Sequence, residues 1–217
     1  MMHDVYRRLF DALGPQYWWP GETPFEIIVG AVLTQNTNWQ NVEKAIRNLR
    51  EDDLLAPAAL HAVPVEELEE LLRPAGYFRV KARRLHNLLA FLMEQYNGDL
   101  DAMFASNVNA LREELLSLNG IGPETADSIL LYAGGLPVFV VDAYTHRILS
   151  RHGWIDMEAD YHQIQDFLQG QLPDDPALFN EYHALLVYVG KHYCRKRSPK
   201  CDECPLHDLL PEGGPGL

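Results

Sequence analysis

The segment from Leu115 to Arg147 constrains the fold more than any other part of the sequence. Its turn, Asn119-Gly120-Ile121-Gly122, lies between two stretches whose apolar residues recur at helical spacing. The two glycines allow a tight turn and a close approach to another surface, and a proline follows where a helix can begin. The N–H groups of such a turn can bind one phosphate. The pattern predicts a hairpin of two helices over about residues 107–134, although an ordinary structural hairpin would look similar.

Helical periodicity also dominates the rest of the 217 residues. A composition of 47% hydrophobic and 23% charged residues is globular and excludes disorder over most of the chain. The β-branched run at 138–141 has no partner strand, so we expect it to be buried extended chain. The sequence therefore predicts an all-α fold. In the second half of the chain, helices are expected near residues 107–118, 124–133, 143–152, 161–169 and 177–193.

The net charge of −13 argues against nucleic acid as a partner if it is taken alone. The cationic residues, however, are concentrated in two segments without any acid, residues 73–86 and residues 191–200. Two basic patches on an acidic protein can form a localised phosphate-binding face. The alternative is two solvated faces. No apolar run approaches the roughly 18 residues of a membrane span, and the first ten residues lack a signal peptide's apolar region, which indicates a cytoplasmic protein.

The order L-x-x-L-x-G-I-G-x-x-x-A, a Gly/Pro loop and V-V-D-x-x-x-x-R resembles the helix-hairpin-helix–Gly/Pro–Asp DNA glycosylases of the endonuclease III superfamily. The segments 25–37 and 73–85 look like other parts of that family, and the agreement runs from about residue 5 to 210. Residues 18–20 and 33–39 look most like the 3-methyladenine DNA glycosylase III branch. The resemblance implies two lobes. One is a six-helix lobe of residues 24–136, and the other combines residues 1–23 with residues 137–217.

By this resemblance Asp142 is the catalytic aspartate. Breaking an N-glycosidic bond builds positive charge on the deoxyribose, which a nearby carboxylate stabilises, and the carboxylate can also orient or deprotonate water. An aspartate at this position would also cap the helix that begins near Ala143, and both roles can hold at once. Bifunctional members of the family carry a lysine that forms a Schiff base where this chain has Glu124. The resemblance therefore implies a monofunctional glycosylase that acts on a damaged base in duplex DNA.

The family's wedge position, which fills the space left by a flipped base, is occupied by Gln35. Trp18, Trp19 and Trp39 are candidates for the base pocket, because tryptophan faces attract cations and a base alkylated at N3 is cationic. An alkylated purine of the 3-methyladenine type is the expected substrate. Tyr77 and Phe78 are expected in the core.

The three cysteines follow the spacing C-x6-C-x2-C, and the family's [4Fe–4S] pattern adds C-x5-C where this chain has Leu210. Three outcomes are open for the loop of residues 194–210. His207 or another nearby histidine could complete an iron–sulfur site, zinc could bind to three cysteines and a histidine, or the loop could hold no metal. The cysteines concerned are Cys194, Cys201 and Cys204.

The residues between the first two cysteines are basic and form a plausible phosphate contact. The residues expected to bind DNA are Gly120, Ile121, Gly122, Gln35, Arg195, Lys196, Arg197 and Lys200. Double-stranded DNA with a damaged base is the expected partner of a monomer. Two alternatives stay open, namely an endonuclease III-like glycosylase for oxidised or mismatched bases and a non-catalytic DNA-binding protein that retains the hairpin.

Overall fold

The computed structural model describes residues 1–215, and within that range the chain forms twelve α-helices and no strand. The predicted all-α fold is therefore confirmed. The helices are α1 Met2–Leu13, α2 Pro24–Leu33, α3 Trp39–Glu51, α4 Pro57–His61, α5 Val65–Leu72, α6 Phe78–Tyr96, α7 Leu100–Phe104, α8 Val108–Ser117, α9 Pro123–Ser128, α10 Ala143–Arg151, α11 Tyr161–Gln169 and α12 Pro176–His192.

The predicted helix at 124–133 differs from the one observed. After α9, residues Ile129–Ala133 form a π-helical turn, in which the N–H of Gly134 donates to the carbonyl oxygen of Ile129. Apolar periodicity does not separate the two forms here, because residues 125–132 are all buried. The turn ends at Gly134, where any Cβ would collide with Phe104.

Contacts divide the chain into two units. The continuous unit is Trp19–Leu136, and the discontinuous unit combines Met1–Trp18 with the chain from Pro137 onward. Residues 19–23 thus group with the continuous unit, whereas the sequence analysis assigned them to the other lobe. The continuous unit contains α2 to α9. Two of these helices, α4 and α7, have five residues each and are too short for periodicity to predict.

The core of the continuous unit is built around α2. Eight of its ten residues are buried, so the helix is apolar on nearly all sides and has other helices around it. It begins at Thr23, whose side chain caps it by accepting a hydrogen bond from the N–H of Glu26. The rigid end of α2 places the following turn, which carries Gln35, against the hairpin formed by α8 and α9.

The discontinuous unit is centred on α10 and α12. Gly190 of α12 lies where any Cβ would collide with Tyr144 of α10, so glycine permits the close approach of the two helices. Residues 138–141 are buried, as predicted, and are part of neither a helix nor a strand. Two glutamines of α11 satisfy the backbone of Phe139, because Gln169 accepts from its N–H and Gln165 donates to its carbonyl oxygen.

In the part of the chain that the structure covers, no helix combines the length and the apolar character that crossing a membrane requires.

Candidate functional site

The carboxylate of Asp142 is held in a defined position at the start of α10. Its Oδ1 accepts hydrogen bonds from the N–H of Thr145 at 2.7 Å and from the hydroxyl of Thr145 at 2.9 Å. Asp142 is therefore the N-cap of α10, which is the structural role that the sequence allowed beside the catalytic one. Oδ1 is used for capping, and neither of these two hydrogen bonds engages Oδ2. The side chain is only 12% exposed.

His183 faces that second oxygen. Its Nε2 lies 3.7 Å from Oδ2 of Asp142, and its side chain is 6% exposed. Burial lowers the pKa of His183, the nearby Asp142 opposes this shift, and Lys191 adds to it. The ring is thus neutral near pH 7. Sequence reasoning did not find this residue, because 41 positions separate it from Asp142 and only the packing of α10 on α12 brings the two together.

The other end of α10 organises the cysteine loop. Arg147 donates from Nε to the carbonyl oxygen of Cys194 at 2.7 Å and from a terminal nitrogen to that of Gly190 at 3.1 Å. Arg151 donates to the carbonyl oxygens of Arg195 and Lys196, at 2.6 and 3.2 Å, and lies 3.4 Å from Sγ of Cys194. One helix therefore carries the candidate aspartate at its start and fixes the backbone of the basic loop at its end.

The side chains of that loop are directed outward. Arg195, Lys196 and Arg197 are exposed, and none of them has an acidic partner among the ion pairs of residues 1–215. Lys200 differs, since its ammonium group lies 2.9 Å from the carboxylate of Glu203. Backbone groups held by Arg147 and Arg151 and side chains left in solvent are a suitable arrangement for contacts with phosphates.

The two glycines of the hairpin turn differ in whether the fold requires glycine at their positions. Gly120 has a φ of 95°, and a Cβ there would collide with the side chain of Arg84. The protein itself therefore requires glycine at this position. Gly122 has a φ of −96°, which any residue adopts, and a Cβ there would meet no protein atom within 4 Å. The fold of the continuous unit does not require Gly122 to be glycine.

Ile121 lies between these glycines with its side chain 4% exposed. Its N–H donates to the carbonyl oxygen of Leu118 at 3.1 Å, so neither its side chain nor its N–H faces outward. Gly122 is the N-cap of α9, and Pro123 begins the helix without an N–H. Glu124 follows in the first turn, where a carboxylate interacts favourably with the helix dipole.

The side chain of Gln35 is bound to the hairpin. Its Nε2 donates to the carbonyl oxygen of Gly120 at 3.0 Å and to the hydroxyl of Thr125 at 2.9 Å, while Arg84 donates to its Oε1. The amide thus uses both its nitrogen and its oxygen within the protein. The structure brings together the predicted wedge residue and the predicted hairpin, and it adds Arg84, which the sequence showed only as part of a basic segment.

That basic segment is less cationic at its surface than the sequence suggested. Lys81 is 1% exposed and donates to the carbonyl oxygens of Leu33 and Ala75, each at 2.8 Å. It therefore closes the end of α2 and contributes no surface charge. Burial lowers the pKa of Lys81 to about 8. Arg73 is bound to Glu70, and Arg79 lies 3.5 Å from Glu69.

Tyr77 was expected in the core, and this expectation is wrong. The residue is 72% exposed and has a φ of 47°, which is the left-handed region. It precedes α6 and follows Gly76, so it lies in a turn outside the helical pattern, and these flanking residues were the signal available in the sequence. Phe78 is half-buried under the guanidinium group of Arg73, whose central carbon is 4.8 Å from the ring centroid.

The three tryptophans predicted for the base pocket fall into the two units. Trp19 and Trp39 meet edge to face with centroids 5.3 Å apart, and Tyr132 lies 5.1 Å from Trp19. Gly30 of α2 lies against both indoles. Trp18 belongs to the discontinuous unit, where Nζ of Lys191 lies 5.8 Å from the centroid of its ring. The continuous unit thus contains an aromatic cluster of Trp19, Trp39 and Tyr132.

All three cysteines line one small pocket, together with His152, His207 and Leu210. Burial raises the pKa of both Cys201 and Cys204. Within residues 1–215, no three His, Cys, Asp or Glu side chains are close enough to hold a single metal ion. A single zinc ion would draw its thiolates to about 2.3 Å. Thiolates around an iron–sulfur cluster are further apart, because each binds a different iron, so cysteines that do not converge on one ion are compatible with a cluster.

These features agree with comparisons to known proteins. The pattern of the HhH-GPD superfamily of base excision DNA repair proteins matches residues 29–174, and the iron–sulfur binding domain of endonuclease III matches residues 194–209. The chain belongs to the HhH-GPD superfamily of base excision DNA repair proteins. It is 48% identical, over 96% of its length and 95% of the other protein's, to a Methanocaldococcus jannaschii protein provisionally named DNA repair glycosylase MJ1434.

Two solved structures are similar at 28% identity. A trapped covalent intermediate of endonuclease III and DNA has a TM-score of 0.83, covering 98% of this chain and 95% of that one. The 3-methyladenine DNA glycosylase of H. pylori bound to ethenoadenine has a TM-score of 0.74, covering 87% of this chain and 96% of that one. The resemblance that the sequence analysis identified is thereby confirmed at the level of the superfamily.

Proposed function

We propose that this DNA glycosylase is monofunctional and hydrolyses the N-glycosidic bond of an alkylated purine in duplex DNA. The observation that carries the proposal is the geometry of Asp142. One carboxylate oxygen is fixed by Thr145, and the other remains for chemistry in a largely buried site. A fixed, partly desolvated carboxylate stabilises positive charge on the deoxyribose more strongly than a solvated one, because less water screens it.

Water is the nucleophile in this proposal. Glu124 occupies the family's Schiff-base position, and a carboxylate cannot form an imine with the sugar. Oδ2 of Asp142 accepts a proton from the attacking water as the base departs. An alkylated purine carries a positive charge and leaves readily, so the reaction does not require a strong general acid. The neutral ring of His183 beside Oδ2 does not cancel the negative charge of Asp142.

The aromatic cluster supports the choice of an alkylated base. Faces of Trp19 and Trp39 attract a cationic base more strongly than a neutral one. The likeness to a 3-methyladenine DNA glycosylase supports the same substrate class. The likeness to endonuclease III, with its higher TM-score, favours a second candidate, a glycosylase for the oxidised or mismatched bases that the sequence analysis left open.

For DNA binding we propose three contributions. The turn at Gly122 admits a phosphate, since nothing in the protein occupies the space beside its Cα. The exposed cations of residues 195–197 contact phosphates. Gln35 enters the duplex after its amide leaves Gly120 and Thr125, and the exposed ring of Tyr77 offers a further surface for stacking on a base.

We also propose that Cys194, Cys201 and Cys204 hold an iron–sulfur cluster. The match to the iron–sulfur domain and the shared cavity support this assignment over zinc. A bound cluster would cross-link residues 194–204, and it can take up or release one electron. The residues around it, chiefly Arg147 and Arg151, already fix the loop to α10.

The proposal is tested by base release from four duplex substrates with the wild-type protein. These contain methylated purines, ethenoadenine, an oxidised pyrimidine or a G·T mismatch, and released bases are identified by mass spectrometry. Release of 3-methyladenine without an adduct trapped by borohydride is expected. Release of only the oxidised pyrimidine or the mismatched base would support the second candidate. A trapped adduct during excision would contradict the water mechanism.

A further inference from the structure

The family's spacing leaves one ligand of a four-iron cluster without a counterpart in this chain. At the fourth position the side chain is that of Leu210, a hydrocarbon that cannot bind iron, and it lines the same cavity as the three cysteines. A cluster with a protein ligand on each iron needs a donor from another part of the chain. Two histidines line this cavity, His152 and His207.

His152 is buried and its ring is fixed from two sides. The residue follows α10 as its C-cap and is 8% exposed. Its Nδ1 lies 3.1 Å from the carbonyl oxygen of Leu209, and its ring stacks on Trp154 with centroids 4.4 Å apart. The contact with Leu209 places the imidazole at the residue before position 210, where the family's fourth ligand would stand, and His152 and Leu210 line the same pocket.

The hydrogen bond also determines which nitrogen is available. A carbonyl oxygen only accepts, so Nδ1 of His152 carries the proton and the lone pair of the neutral ring is on Nε2. Histidines that bind metals commonly have this arrangement, in which one ring nitrogen donates to a backbone carbonyl and the other binds the metal.

His207 is less suited to the same role. Its side chain is 51% exposed, and its Nδ1 lies 3.9 Å from a carboxylate oxygen of Asp202. His207 lies in a short 3₁₀ turn that ends at Leu209. Among the described residues, no aromatic ring stacks on its imidazole. An exposed ring without a fixed orientation would lose more conformational freedom on binding iron than a ring that is already held.

We propose that Nε2 of His152 supplies the fourth ligand of an iron–sulfur cluster whose other ligands are Cys194, Cys201 and Cys204. The proposal rests on the cofactor assigned above and adds the residue that completes it. The imidazole brings no negative charge, so the cluster has one negative charge fewer than a four-cysteine cluster. Its reduction potential is therefore higher, as in clusters where histidine replaces cysteine.

The test is spectroscopic and uses the full chain labelled with ¹⁵N-histidine, reconstituted without oxygen from ferrous iron and sulfide. Iron and sulfide are measured chemically, and the cluster is brought to a paramagnetic state for pulsed EPR. Wild type is expected to hold about four irons per chain and to show a ¹⁵N hyperfine coupling. His152→Ala should lose the coupling, and His207→Ala, the matched control, should retain it.

His152→Cys keeps the test decisive if the alanine variant does not fold. This variant should hold a four-iron cluster without nitrogen coupling and with a lower reduction potential, because a thiolate replaces a neutral ring. A coupling that survives in His152→Ala, that disappears in His207→Ala, or that is absent from wild type would overturn the proposal. A wild type that binds no iron would overturn the cofactor assignment as well, while base release would still test the glycosylase function separately.

Discussion

Oδ1 of Asp142 accepts both the N–H and the hydroxyl of Thr145, so the residue that begins α10 is held by the helix that it caps. One carboxylate can therefore serve two purposes, because its two oxygens have different surroundings. Capping alone needs only an acceptor oxygen, which an amide also provides, whereas catalysis by charge needs the carboxylate.

Replacement of Asp142 by Asn separates these purposes. The amide oxygen retains the cap, so the melting temperature should change by no more than about 2 °C. The rate of base release should fall on the order of 10²–10³-fold, because the negative charge is lost. Single-turnover release from methylated duplex DNA measures the rate, and differential scanning calorimetry measures the stability.

Asp160→Asn is the matched control, since Asp160 is the N-cap of α11 in the same unit and accepts from the N–H of Gln163 at 2.9 Å. It should leave the rate unchanged. Equal rates for Asp142→Asn and wild type would show that the carboxylate acts only as a cap.

The two hairpin glycines should respond differently to alanine. Gly120→Ala forces a side chain into the left-handed region and against Arg84, so we expect a loss of about 1–3 kcal/mol in the free energy of unfolding. Gly122→Ala should cost less than about 1 kcal/mol, since the position is open and its φ is ordinary. Urea denaturation compares the two variants.

Although Gly122→Ala should change stability little, it should weaken DNA binding. The added methyl group occupies the space where we place the phosphate, so affinity for duplex DNA should fall about tenfold, or roughly 1.4 kcal/mol. Fluorescence anisotropy at fixed salt measures this change. An unchanged affinity in a folded Gly122→Ala protein would remove the turn from the DNA-binding surface.

Gln35→Ala tests the wedge assignment through the difference between duplex and single-stranded substrates. A wedge matters only when a base must leave a stack, so release from duplex DNA should fall at least about tenfold while release from single strands stays nearly constant. Gln40→Ala, an exposed glutamine on α3, is the control. Parallel losses on both substrates would instead indicate that Gln35 acts by holding the hairpin through Gly120 and Thr125.

Lys81 should make stability depend on pH. Its pKa is about 8 in the folded protein and 10.5 ordinarily, so between these values the unfolded chain holds a proton that the folded chain lacks. The free energy of unfolding therefore gains a contribution that grows as pH rises through this range and is lost as pH falls through about 8.

Lys81→Met removes this contribution. The free energy of unfolding of wild type minus that of the variant should therefore increase from pH 7 to pH 10. Lys44→Met, which changes an exposed lysine of α3, should show no such trend. Chemical denaturation at a series of pH values measures both. A difference that stays constant with pH would contradict the burial argument for Lys81.

Much of the architecture could be predicted from local pattern. Tyr161–Gln169 was predicted with the observed bounds, and the bounds of the helices near 108–117, 143–151 and 176–192 were predicted to within one residue, because apolar periodicity and flanking Gly, Pro or Asp act over short distances. The turn at Gly120 and the cap at Asp142 are local for the same reason. Cysteine spacing likewise indicated a shared site, and one cavity contains all three side chains.

Burial and partners at long range could not be predicted in this way. Lys81 looked like a surface cation and Tyr77 like a core residue, yet their environments are reversed, because helix packing decides which residues of a basic turn face inward. Gln35 meets Thr125 across 90 residues, and His152 meets Leu209 across 57. The sequence by itself determined most of the longer helices, the cap at Asp142 and the superfamily. Only the tertiary structure decided that His183 faces Asp142 and that His152 lines the same pocket as Leu210, since such contacts depend on packing between distant segments.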